Sequence, residues 1–160
     1  MTLEHFLRPA LPSTRLRTVG RLVLGAFLLL AGVGHLTFAR DAFQAQVPTW
    51  LPLDVDLVVL ASGVVEIVLG LALLVLARWR ILVGWVVAVF FVAVFPGNIS
   101  QFTTASDSFG LNSDLTRGIR LLFQPLLVVW ALWATGAWKA WRESRAEGPA
   151  SVHSWSSSEQ

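Results

Sequence analysis

Cysteine is absent from the 160-residue chain. That excludes a disulfide, a thiolate metal site and a dithiol redox motif of its own, so any redox chemistry has to come from a cofactor or a partner. Charge is scarce too: 14% of residues are charged against 55% hydrophobic, with a mean hydropathy of +0.66. A soluble domain of this size could not bury that much apolar surface. Of the three histidines, His5 and His153 lie in the terminal segments, which excludes a bis-histidine haem within one chain. No glycine-rich phosphate loop and no zinc-ligand spacing occurs, and no metal site is expected. The net charge of +2 and the pI near 10.4 could suggest nucleic acid. The basic residues instead flank apolar runs and form no patch interleaved with aromatics, so nucleic acid is not an expected partner.

What is present is four apolar runs, each close to the roughly 20 residues a helix needs to cross about 30 Å of hydrocarbon. They cover about 22–39, 57–77, 81–101 and 118–138. The expected fold is therefore all-α, an integral membrane four-helix bundle with the lipid bilayer as solvent. Residues 1–20 form an N-terminal segment, 21–139 the four-helix domain, and 140–160 a disordered tail rich in serine toward its end. Arg8, Arg15, Arg17 and Arg21 precede the first run, Arg78 and Arg80 separate the second from the third, and Lys139, Arg142 and Arg145 follow the fourth. The other two connections balance Arg40 and Arg117 against Asp41, Asp54, Asp56, Asp107 and Asp114. By the positive-inside rule both termini are cytoplasmic, and this alternation favours a retained first helix over a signal peptide cleaved near Thr37-Phe38-Ala39. Trp79, Trp85, Trp130, Trp133, Trp138 and Trp141 suit anchoring at the inner interface and Trp50 at the outer one. The loop Val47-Pro48-Thr49-Trp50-Leu51-Pro52 is expected to cap the bundle at the membrane surface, and the Ser/Thr/Asp-rich loop 102–116 to be mobile. No internal repeat is visible.

An ionisable or amide side chain inside hydrocarbon is costly and needs a partner. Five stand out: His35, Glu66, Asn98, Arg120 and Gln124. At about 1.5 Å per residue all five fall in the outer half of the bundle. Ser62, Glu66 and Gly70 share one helix face, as do Ala31 and His35, and Arg120 and Gln124. Pro96 and Pro125 should free the carbonyls of Val92 and Leu121 and bend the helices around a small polar pocket. Glu66 and Arg120, of opposite charge at overlapping depth, are expected to pair. The bland reading is interhelical hydrogen bonding with no ligand. Gly25, Gly32, Gly63 and Gly70 permit close helix contact either within the bundle or in a homodimer.

The ordered series Ala31-Gly32-Val33-Gly34-His35-Leu36-Thr37, Val47-Pro48-Thr49-Trp50-Leu51-Pro52, Ser62-Gly63-Val64-Val65-Glu66-Ile67, Val94-Phe95-Pro96-Gly97-Asn98-Ile99 and Arg120-Leu121-Leu122-Phe123-Gln124-Pro125 resembles the DoxX-like family of small bacterial membrane proteins. The resemblance covers about residues 20–137. It implies the four-helix fold in a bacterial inner membrane, and it matches His35, Glu66, Asn98 and Gln124 to the family's recurring polar positions. The family's link to membrane oxidoreductase complexes leads to the expectation of a non-autonomous subunit of a quinone-linked redox or sulfur-metabolism complex with oxidoreductase partner subunits; the resemblance does not say what the polar cluster binds, and a quinone is one candidate cofactor. The alternative is a small membrane carrier, assembly factor or structural protein with no catalytic activity.

Overall fold

A computed structural model describes residues 13–104 and 114–146, and every regular element among them is helical. Helix α1 spans Arg15–Leu36, α2 is the short Arg40–Gln44, α3 is Val55–Val75, α4 is Arg80–Thr103, α5 is Asp114–Thr135 and α6 is Ala137–Ala146. A single 3₁₀ turn, Ala77–Trp79, links α3 to α4. Four stretches, Arg15–Leu36, Val55–Val75, Ala77–Thr103 and Gly118–Thr135, are long and apolar enough to cross a membrane.

Local chemistry sets where the helices begin and stop. The Thr14 hydroxyl accepts from the Arg17 N–H at the start of α1, and the Asp54 carboxylate accepts from the Leu57 N–H at 2.8 Å at the start of α3. Both supply an acceptor to donors that have no partner within the helix. Gly136, at φ +79°, sits between α5 and α6; this left-handed conformation carries no Cβ penalty in glycine and lets the chain turn between the two helices.

Two hairpins make the bundle, α1 packed against α3 and α4 against α5. Glycine makes the first hairpin tight. A Cβ on Gly70 would lie 2.8 Å from the Gly25 carbonyl, and one on Gly32 would lie 2.6 Å from the Gly63 carbonyl, so the two backbones touch where no side chain intervenes. All four glycines foreseen as packing residues thus serve the α1/α3 contact. In the second hairpin Gly84 instead makes room for the Thr135 side chain.

An arginine closes each hairpin at one end. Arg21, 6% exposed, donates to the Leu73 and Leu74 carbonyls at the C-terminus of α3. Arg80 at the start of α4 donates to the Thr135 carbonyl at the C-terminus of α5, at 3.0 Å. In both cases a guanidinium meets the orphan carbonyls and negative dipole end of the partner helix. The two hairpins therefore repeat one device although no repeat is legible in the sequence. Arg21→Met should lower stability by about 1–2 kcal/mol in thermal unfolding in mild detergent, because the carbonyls lose a charge-assisted donor without becoming hydrated. Near this basic end Leu24, Leu28, Leu69, Leu73, Val83, Val87, Phe91 and Ala131 form a dense core drawn from all four long helices. The Trp130 N–H donates to the Gly20 carbonyl at 3.1 Å and ties α5 to α1. Trp130, expected as an interface anchor, thus also packs between the hairpins.

Other boundaries differ from those read in the sequence. α1 starts at Arg15, inside the segment assigned to residues 1–20, because a helix can carry Arg15, Arg17 and Arg21 at its polar mouth. The tail assigned to 140–160 is helical as far as Ala146, supported by the 5.4 Å contact of the Trp138 and Trp141 rings and the Lys139–Glu143 pair at i,i+4. Residues 147–160 and most of the loop 102–116 lie outside the described residues.

Candidate functional site

Away from the basic end the hairpins separate. Between them lies a cavity of about 950 Å³, with mostly apolar walls from α1, α3, α4 and α5 and the 43–51 segment across it. His35, Glu66, Asn98, Arg120 and Gln124 all line it. Helical spacing positions them: Ala31 and His35 project from one face of α1, Ser62 and Glu66 from one face of α3, and Arg120 and Gln124 from one face of α5.

The partners within this group differ from those expected. Glu66 pairs with His35, whose Nδ1 lies 3.0 Å from the Glu66 Oε2, both side chains being almost fully enclosed. The same Nδ1 lies 2.9 Å from the Ala31 carbonyl. A ring nitrogen carries one hydrogen, and its alignment favours Ala31, so Glu66 Oε2 is close to the imidazole but lacks an aligned donor. Arg120 instead reaches the loop side chain Gln46 and donates to its Oε1. The expected Glu66–Arg120 pair is replaced because α2 and the segment after it bring a second amide to the cavity and α1 brings the imidazole.

Asn98 and Gln124 hold the other hairpin together. Asn98 Nδ2 donates to Gln124 Oε1 at 2.8 Å, and Gln124 Nε2 donates to the Phe91 carbonyl at 2.6 Å. Pro96 does lie inside α4 as foreseen. The carbonyl that takes the Gln124 amide is that of Phe91, one residue before the Val92 carbonyl that Pro96 frees. Phe91 is buried and faces α5, whereas Val92 is 60% exposed on the outer face.

The segment from α2 to Leu51 closes the cavity by touching every long helix. Arg40 makes a bidentate ion pair with Asp56 in the first turn of α3, and Gln44 adds a bond to the same carboxylate at 3.0 Å. Hydrogen bonding to Asp56 raises the Arg40 guanidinium above its ordinary value, so this latch stays charged. Phe43 stacks on the His35 ring at 3.4 Å between centroids and 15° between planes. Gln46 meets Arg120 of α5 with its side chain, and its carbonyl lies 3.0 Å from where a Cβ on Gly97 of α4 would be. Sequence reasoning foresaw a cap here but not Arg40, Phe43, Gln44 and Gln46 as its working parts. The usable signal was the alternation of charged or amide residues with Phe43 over 40–46, next to the Asp54 cap. Among the described residues, Gln46 Nε2 and Glu66 Oε2 are both buried without a hydrogen-bond partner.

The site thus combines an imidazole and a carboxylate in contact, a guanidinium and several amides at one end of an apolar chamber. Such a set can hold the polar head of an amphipathic molecule and exchange a proton with it. Among the described residues no three His, Asp or Glu side chains come together to hold a metal ion.

The fold and chamber define a small four-helix protein with an internal polar cluster. The chain belongs to the family described as a domain of unknown function, DUF8561, whose model matches residues 24–135 and so spans both hairpins and the whole cluster. No curated protein and no solved structure matches it.

Proposed function

We propose that the chain spans a bacterial inner membrane with four helices, both termini cytoplasmic, and binds a membrane-borne amphipathic molecule with a quinone-type headgroup in the inter-hairpin chamber. Support for insertion comes from the outward faces: Leu30, Val68, Val89 and Leu122 are exposed by 64%, 59%, 64% and 68%, a surface that suits acyl chains and not water. An even number of crossings leaves the termini on one side, and the arginines at the basic end support the cytoplasm as that side. The observation that carries the ligand reading is the chamber of about 950 Å³ with His35, Glu66 and Arg120 on its wall. Its size lies in the range of ligand pockets, and its few polar groups converge while the remaining wall is apolar. A headgroup carbonyl would accept from the Arg120 guanidinium, with Glu66 and His35 handling the proton and a partner subunit supplying electrons, since the chain has no cysteine. In line with the DoxX-like resemblance, the chain would act as a non-autonomous membrane subunit of a quinone-linked redox or sulfur-metabolism complex.

A second reading, a carrier or structural protein, is favoured by one observation. Asn98, Gln124 and the Phe91 carbonyl hydrogen-bond to one another across α4 and α5, as packing residues would. Mass spectrometry of small molecules extracted from protein purified in mild detergent separates the two. Wild type should retain a quinone, and folded Glu66→Gln and His35→Ala variants should lose most of it. Retention of nothing by any of the three would remove the quinone reading.

A further inference from the structure

At the basic end, on the side away from the inter-hairpin chamber, the elbow between α5 and α6 encloses a second cavity of about 640 Å³. Its wall is made by Val129, Leu132 and Trp133, and its rim by Arg17, Lys139 and Arg142. We propose that this elbow is a binding site for an anionic phospholipid, with the headgroup phosphate held among the three cations and an acyl chain lying along α5.

The cations arrive from two separate elements. Arg17 comes from the first turns of α1, and its Nη1 lies 3.8 Å from where a Cβ on Gly136 would stand. Lys139 and Arg142 come from α6, one turn apart on one face. Three like charges converging on one groove repel unless an anion sits among them. The single acidic residue on the wall, Glu143, pairs among the described residues with Lys139, at 3.5 Å and with both side chains more than half exposed, so it is screened by water and leaves the described wall positive. Charge complementarity therefore selects an anion. The apolar half of the groove selects a lipid over a free phosphate: Val129 is 63% exposed, Trp138 51% and Trp133 39%, continuous with the outward face of α5. Two indole rings beside cations at a helix bend suit the headgroup level of a bilayer, where basic pockets between helices hold anionic headgroups. The proposal rests on the membrane reading and is independent of what the chamber binds.

The test is native mass spectrometry and lipid titration of the full chain, first reconstituted into nanodiscs to establish insertion, then in mild detergent. The probes are phosphatidylglycerol, phosphatidylcholine and glycerol phosphate. The expected result is bound phosphatidylglycerol in preference to phosphatidylcholine, weakened about tenfold by Arg17→Gln combined with Arg142→Gln. Arg145→Gln should leave it unchanged, since Arg145 lies over the Trp141 ring, 4.6 Å from its centroid, and is not on the cavity wall. Equal binding of the two lipids overturns the site, as does equal weakening by Arg145→Gln, which would mean diffuse surface attraction. Displacement by glycerol phosphate at matching concentration overturns the lipid in favour of a free phosphate. Failure to insert into nanodiscs overturns the membrane reading and this site with it, whereas insertion without lipid preference overturns this site alone.

Discussion

Replacing Gly32 by leucine should lower stability by about 3 kcal/mol or more, which for a chain of this length corresponds to a fall of about 10 °C in Tm. A Cβ at this position would stand 2.6 Å from the Gly63 carbonyl, 2.8 Å from Ile67 Cγ1 and 2.9 Å from the Ile67 amide nitrogen. Two of those three atoms are backbone and cannot rotate away, so α1 and α3 have to part. Parting them also moves His35, whose Cβ is 2.7 Å from where a Cβ on Gly63 would stand, and the His35–Glu66 contact should be lost together with the hairpin. Gly34→Ala is the internal control. The nearest atom to its added methyl is at 3.5 Å, an ordinary contact, and alanine favours the helix by about 0.5–1 kcal/mol. Thermal unfolding of the three proteins in the same detergent checks the pair. A Gly32→Leu variant that melts with the wild type would show that the glycine seam does not hold the hairpin.

Gln124→Leu should cost about 2–3 kcal/mol, with little of it due to volume. Leucine fills nearly the same space, but Asn98 Nδ2 loses its acceptor and the Phe91 carbonyl loses a donor, and buried groups left unmatched cost more than a hydrogen bond contributes when it forms. The signature is non-additivity. Once Gln124 is leucine, Asn98→Leu removes a donor that already lacks its acceptor, so the double variant should cost less than the two single variants together. The expected coupling is about 0.6–2 kcal/mol. Additive costs would mean that Asn98 and Gln124 contribute independently and that the bond between them is incidental.

How much of this was legible in the sequence depended on distance along the chain. The four long helices were, because a run of apolar residues the length of a bilayer has few other uses. So were the five polar residues of the chamber, since a His, Glu, Asn, Arg or Gln in such a run stands out by itself. Their pairing was not. Whether Arg120 meets Glu66 or Gln46 depends on how each helix is rotated and how far apart the hairpins stand, and neither is written in the spacing within one helix. α2 was missed for a related reason: five residues are too few to form a helix without tertiary support, and that support comes from Asp56, 16 positions beyond Arg40. Arg21 and Arg80 were read only as markers of sidedness. Their second use, closing the C-terminus of a partner helix, needs the contact between helices to be seen.

The hairpin arrangement has a consequence for biogenesis. Each helical pair carries its own close-contact seam and its own guanidinium clasp, whereas the dense core is filled only when both pairs meet. A nascent chain could therefore pair α1 with α3, and then α4 with α5, before the two pairs dock. The chamber would exist only after they dock, so ligand binding would report correct assembly of the finished protein.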